Sequence, residues 1–169
     1  MTQYGDTARR QSPLQLQRPA SHPFLKPSNT MSTQRFALPP GVYYIQTTEA
    51  TARNVANPSG DGQQLFVATP SGGAEQQWLI SGNGIIRALN VNSGRFALTN
   101  LASSAVPQAV TRATSGVEWI INVEWDQGSN TFKGPILAND SSKRRFSLNG
   151  NNIELAAASS SQEWVFVAA

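Results

Sequence analysis

The chain has 169 residues, no cysteine, one histidine and a formal net charge of +3, a length that suits one domain with an ordinary core. The lack of cysteine excludes a disulfide framework, a thiolate nucleophile and a cysteine-zinc site, and with no signal-peptide-like or membrane-spanning apolar run it leads us to expect a cytoplasmic protein. Five basic residues (Arg9, Arg10, Arg18, Lys26, Arg35) face only Asp6 in the first 35 positions, which leaves eight basic against nine acidic residues in the rest; the body thus lacks the basic footprint of a nucleic-acid-binding domain.

Residues 1–35 are rich in Gln, Ser, Pro and Thr and show no helical or strand period, so we expect a disordered basic tail. From 36 to 169 the pattern changes to short strands separated by Gly, Ser, Asn and Pro clusters, with no helical moment, which predicts an all-β domain. In a first unit, about 41–81, the strands are predicted at 42–47, 52–56, 63–68 and 76–81. In the second, about 82–125, they fall at 85–90, 94–99, 108–113 and 117–123. The third, about 126–169, gives 131–137, 144–149, 152–157 and 162–167.

Each unit closes on a tryptophan strand: Trp78 in QQWLI, Trp119 in VEWII and Trp164 in QEWVF, 41 and 45 residues apart. Tyr44, Ile86 and Phe132, each 32 to 34 residues before its tryptophan, make the units open alike. A period near 40 marks a repeat protein. Four strands cannot bury an apolar face alone, whereas three such units around an axis close a barrel and leave few exposed edges. The expected fold is a β-trefoil. Alternation along QQWLI and QEWVF makes the repeated tryptophans core anchors first.

The Gln-x-Trp closings, Gln76-Gln77-Trp78 and Gln162-Glu163-Trp164, resemble the signature of ricin-B-type lectins over roughly residues 40–169, with Val117 in place of glutamine in the second unit. The nearer resemblance is to a small cysteine-free fungal branch of that family, carried by Gly41-Val42-Tyr43-Tyr44-Ile45, by Glu75-Gln76-Gln77-Trp78-Leu79-Ile80 and by the run from Lys143 to Asn149. That resemblance implies binding of glycans or glycoproteins, in some members fucosylated N-glycan cores, and a role in defence. It also implies a working second lobe, in which an aromatic on the second strand faces the loop before the last tryptophan. Those positions are Phe96 and Ser115, Gly116, Val117, Glu118 and Trp119.

A sugar site needs a flat ring to stack on and polar groups around a shallow dish. Asn90, Asn92 and Arg95 flank Phe96 and would supply hydrogen bonds, the plainer alternative being turn-shaping asparagines. A parallel set in the third lobe is Asn139, Asp140, Arg145, Phe146 and Asn149, the plainer alternative for Asp140 being an Asx turn in NDSS. Catalysis is not expected. The lone histidine, His22, lies in the tail, which removes the usual general base and any histidine metal cluster. Glu118 and Glu124 stand too far apart along a strand for a glycosidase pair, and Glu124 and Asp126 read as solvated acids at a strand end. No phosphate loop or nucleophile elbow is present. We expect no cofactor, no metal, no nucleic-acid or membrane partner, and a monomer or weak homodimer. A second function class stays open: a β-trefoil protease inhibitor, with loops 57–62, 70–76 and 138–143 entering a protease cleft.

Overall fold

The computed structural model describes residues 34–90, 94–103 and 105–169; the expected tail lies outside them up to residue 33. Its strands run in chain order as β1 (Phe36–Ala37), β2 (Gly41–Thr47), β3 (Asn54–Ala56), β4 (Phe66–Ala68) and β5 (Gln77–Ile80). There follow β6 (Ile86–Ala88), β7 (Arg95–Leu98), β8 (Gln108–Ala109), β9 (Thr111–Ala113) and β10 (Trp119–Asp126). The last set is β11 (Thr131–Gly134), β12 (Ile136–Ala138), β13 (Arg145–Asn149), β14 (Asn152–Ala156) and β15 (Trp164–Ala168). The only helical turn among the described residues is a 3-10 turn at Ala74–Gln76, and no helix there is long and apolar enough to cross a membrane.

The pairing closes on itself. β2 pairs with β5 on one side and with the last strand, β15, on the other. β5 pairs with β6, and the residue before β6, Ile85, bridges to Glu118 at the start of β10. β10 forms a hairpin with β11 and β12, and β11 returns to β15. The hairpins β3–β4, β7–β9 and β13–β14 cap the ring. This is a β-trefoil, with no open edge on the barrel to recruit another strand.

Three buried tryptophans set its threefold geometry. Each sits opposite a small residue in the first strand of the next lobe: Trp78 opposite Ala88, Trp119 opposite Ala138, and Trp164 opposite Thr47. A buried indole N–H needs an acceptor, and each finds the carbonyl of the second strand of its own lobe. Trp78 Nε1 donates to Val55 O at 2.9 Å, Trp119 to Ala97 O at 3.3 Å and Trp164 to Phe146 O at 2.9 Å. Val55, Ala97 and Phe146 are therefore equivalent positions, and all three are fully buried.

Equivalence by pairing corrects the opening of the units. The residues that face Phe166, Ile80 and Ile121 across the barrel are Ile45, Ile86 and Ile136. They replace Tyr44 and Phe132 in the aligned set. Ile136 lies 50 residues after Ile86, whereas Ile86 lies 41 after Ile45. The excess sits in the β10–β11 hairpin, which runs past the barrel to Asp126 before the turn at 127–130. A shorter return from Ile136 to Trp164 hides most of it, so the tryptophan spacing alone does not show the insertion.

Gly84, at φ +79°, takes a conformation that a side chain resists, and a Cβ there would stand 1.9 Å from Trp119 O. Replacing Trp164 by Phe strands the buried Phe146 carbonyl and is expected to cost about 1–3 kcal/mol in urea denaturation. Gly84→Ala is expected to cost more. An unshifted urea midpoint for Trp164→Phe would show that the indole bond does not hold the lobe.

Candidate functional site

Strand register places one row of side chains across the outer face of each lobe. In lobe one it is Val165, Gln46, Asn54 and Ala68. In lobe two it is Leu79, Arg87, Phe96 and Ala113, and in lobe three Ile120, Leu137, Arg145 and Ala156. Directly opposed residues point to the same face, so each row is one continuous surface. The rows share an alanine at one end and differ in the two central positions.

In lobe one the row is closed. Asn54 is buried, and its Nδ2 donates to Oε1 of Gln76 at 2.9 Å. The same oxygen accepts from Ser71 N, while Gln76 Nε2 donates to Thr69 O. The glutamine of the Gln-x-Trp motif thus folds the 69–76 loop over its own strand. Lobe three has a half-buried arginine, Arg145, where an aromatic would be needed.

Lobe two is different on both counts. Val117 replaces the glutamine and packs half-buried against the core, so no amide draws the loop down. The loop reaches Phe96 through Gly116 instead. A Cβ on Gly116 would lie 3.0–3.1 Å from the Phe96 side chain, so the glycine rests directly on it. On the other side, the position of a Cβ on Gly94 is 3.6 and 3.7 Å from the ring edge and 3.7 Å from Nε of Arg87. Phe96 is left half-buried between two glycines with a guanidinium alongside.

The other sequence-derived candidates divide. Ser115 and Asn90 are exposed, and Asn90 Oδ1 accepts from Asn57 Nδ2 at 2.9 Å. Asn92 lies outside the described residues. Arg95 Nε donates to Asp61 Oδ1 at 2.7 Å. Trp119 is sealed in the core with its ring edge-on to Phe146, 5.5 Å between centroids. Glu118 is exposed, but its carboxylate accepts from Asn83 at 3.0 Å and Asn139 at 3.5 Å. Those two amides line a separate pocket of about 190 Å3.

Phe146 is a correction. Being the equivalent of Ala97 and not of Phe96, it points inward, has no exposed surface and packs edge-on against both Trp119 and Trp164. No ligand can stack on it. Asp140 is committed to its own loop. Oδ1 accepts from Ser142 N, Ser142 Oγ and Lys143 N, and Oδ2 accepts from Arg144 at 2.8 Å. Burial alone would raise its pKa, but the Ser142 and Arg144 hydrogen bonds, with the Lys143 N–H, bring it down to about 2. The Asx turn is what the structure shows there.

Three features were not read from the sequence. Arg53, Arg95 and Arg144 occupy equivalent positions, two before Val55, Ala97 and Phe146, and each holds an acid: Glu49, Asp61 and Asp140. Their shared 42- and 49-residue spacing is present in the sequence, but it becomes a repeat signal only once the register of the third lobe is fixed. Asp61 also takes Arg112 Nε at 2.9 Å, so the 57–62 loop of lobe one is clamped to lobe two. The hydrogen bond from Arg95, then the charges of both arginines, hold the Asp61 carboxyl below its ordinary range. The third feature is Trp125, which is off the repeat period and stands exposed with its ring 4.7 Å from Phe132. Among the described residues no group of three His, Asp or Glu side chains gathers as a metal would require.

No protein-family model and no curated protein matches the chain. A solved structure of a Macrolepiota procera ricin B-like lectin in complex with lactose is similar, with a TM-score of 0.54 and 15% identity over 79% of this chain and 100% of that one. At that identity the likeness speaks for the fold, and the fold it supports is the ricin-B-like β-trefoil.

The Asp140 carboxylate has a depressed pKa in the folded state, so its contribution to stability is present above about pH 4 and is lost as the pH falls through about 2. Asp140→Asn is expected to be less stable at neutral pH and to lose less than the parent chain between pH 4 and pH 2. Equal acid-induced losses in chemical denaturation would show that Asp140 does not carry this dependence.

Proposed function

We propose that this protein is a non-catalytic carbohydrate-binding β-trefoil, a lectin whose working surface is the outer row of lobe two. The observation that carries the reading is the Phe96 ring, held half-open between Gly94 and Gly116 in the one lobe whose motif glutamine is replaced by valine. A hexose has an apolar face that stacks on such a ring, and its hydroxyls need polar groups at the rim. Arg87 stands there, Ser115 adjoins the glycine that touches the ring, and Asn90 is the further candidate from the sequence. The likeness to a lectin fold supports the same class, and the sequence resemblance to small cysteine-free fungal lectins makes fucosylated N-glycan cores the first glycans to try, with defence as the biological role.

A glycan array should give specific binding that Phe96→Ala weakens by about fivefold or more, since ring stacking contributes about 1 kcal/mol or more. An unchanged melting temperature in that variant separates site loss from unfolding. Full binding by folded Phe96→Ala would move the site to another lobe. Binding to no glycan, together with tight inhibition of trypsin-like or papain-like proteases, would replace the lectin reading by the inhibitor one.

A further inference from the structure

Arg87 is the one charged member of the lobe-two row. It stands directly between Leu79 on β5 and Phe96 on β7, half-buried, so its methylene stem lies along apolar neighbours and its head is at the edge of the Phe96 dish. Among the described residues it makes no hydrogen bond and no ion pair. The nearby carboxylates are committed elsewhere. Asp61 is held by Arg95 and Arg112. Glu118, which bridges the strand beside Ile85, is turned to Asn83 and Asn139.

The threefold symmetry supplies the control. The positions equivalent to Arg87 are Gln46 in lobe one and Leu137 in lobe three, both neutral. The cation thus occurs at this position only in the lobe whose aromatic is open. The head of Arg87 is not among the buried unpartnered atoms and so stays reachable from solvent, and its planar fork matches a carboxylate or sulfate with two parallel hydrogen bonds. Neutral sugar hydroxyls would satisfy it one at a time.

We propose that the Phe96 dish selects glycans bearing an anionic group, with Arg87 receiving the carboxylate or sulfate while the ring stacks on the sugar. This rests on the lectin reading of the same site. Binding should be measured by calorimetry on the full chain with three matched oligosaccharides: neutral, carboxylated (a sialylated or uronic acid form) and sulfated. The expected result is at least about tenfold tighter binding of one or both anionic forms than of the neutral one, a ratio that shrinks as salt is raised. In Arg87→Gln the anionic-to-neutral ratio should collapse to about one. In Lys143→Gln, which removes a positive charge from an exposed loop of lobe three, the ratio should stand. Equal binding of neutral and anionic forms by the parent chain would overturn the inference and leave the lectin reading intact. A ratio that survives in folded Arg87→Gln would also overturn it. Binding of no oligosaccharide at all would instead overturn the lectin reading itself.

Discussion

A buried indole N–H left without an acceptor costs as much as the hydrogen bond it forgoes, and three such donors lie inside this barrel. Each is satisfied by the carbonyl of a strand in the cap of its own lobe, Val55, Ala97 or Phe146. The bond ties the wall of the barrel to its lid and fixes the register of the second strand to within one residue. From that register follows which side chains face inward and which make up the outer row. The arginines two positions earlier inherit the same placement, and through Glu49, Asp61 and Asp140 they fix the loops that surround the caps.

Because the core of each lobe is settled by tryptophan, small partner and cap carbonyl, the outer row is free to differ. Lobe one uses Gln76 to close its own surface over Asn54. Lobe three places Arg145 where lobe two has Phe96. In lobe two a valine packs against the core in place of the glutamine, and Gly116 rather than an amide meets the strand. One repeated core therefore carries three unlike surfaces.

The tryptophan period made the fold legible, because the anchors recur at intervals no irregular chain would keep. Alternation also made their inward direction legible. The register of the third lobe was not: the long β10–β11 hairpin and the short return to Trp164 offset each other, so Phe132 stood in for Ile136. The same slip of frame made Phe146 look like a surface aromatic when its neighbour Arg145 holds the outward position. Phe96 and Gly116 entered together through the resemblance to the small fungal lectins, and the structure sets them in contact. Ile86 and Ala88, both inward, make the outward direction of Arg87 legible too, but a charge within a strand carries no sign of a binding role until its cross-strand neighbours are known.

The seam between β2 and β15 joins residues 117 to 125 positions apart, from Thr47 with Trp164 to Tyr43 with Ala168, whereas β5 and β6 meet across a turn of a few residues. Closing so large a loop carries an entropic cost that local hairpins do not, and contacts of that range slow folding. The hairpins of the separate lobes are local contacts, and the ring is closed by strands from the far ends of the domain. A chain that lost its final strand would leave β2 and β11 with bare edges on the side where Trp164 should sit. Such a chain would be an open sheet with edges free to pair, so closure of the barrel depends on β15.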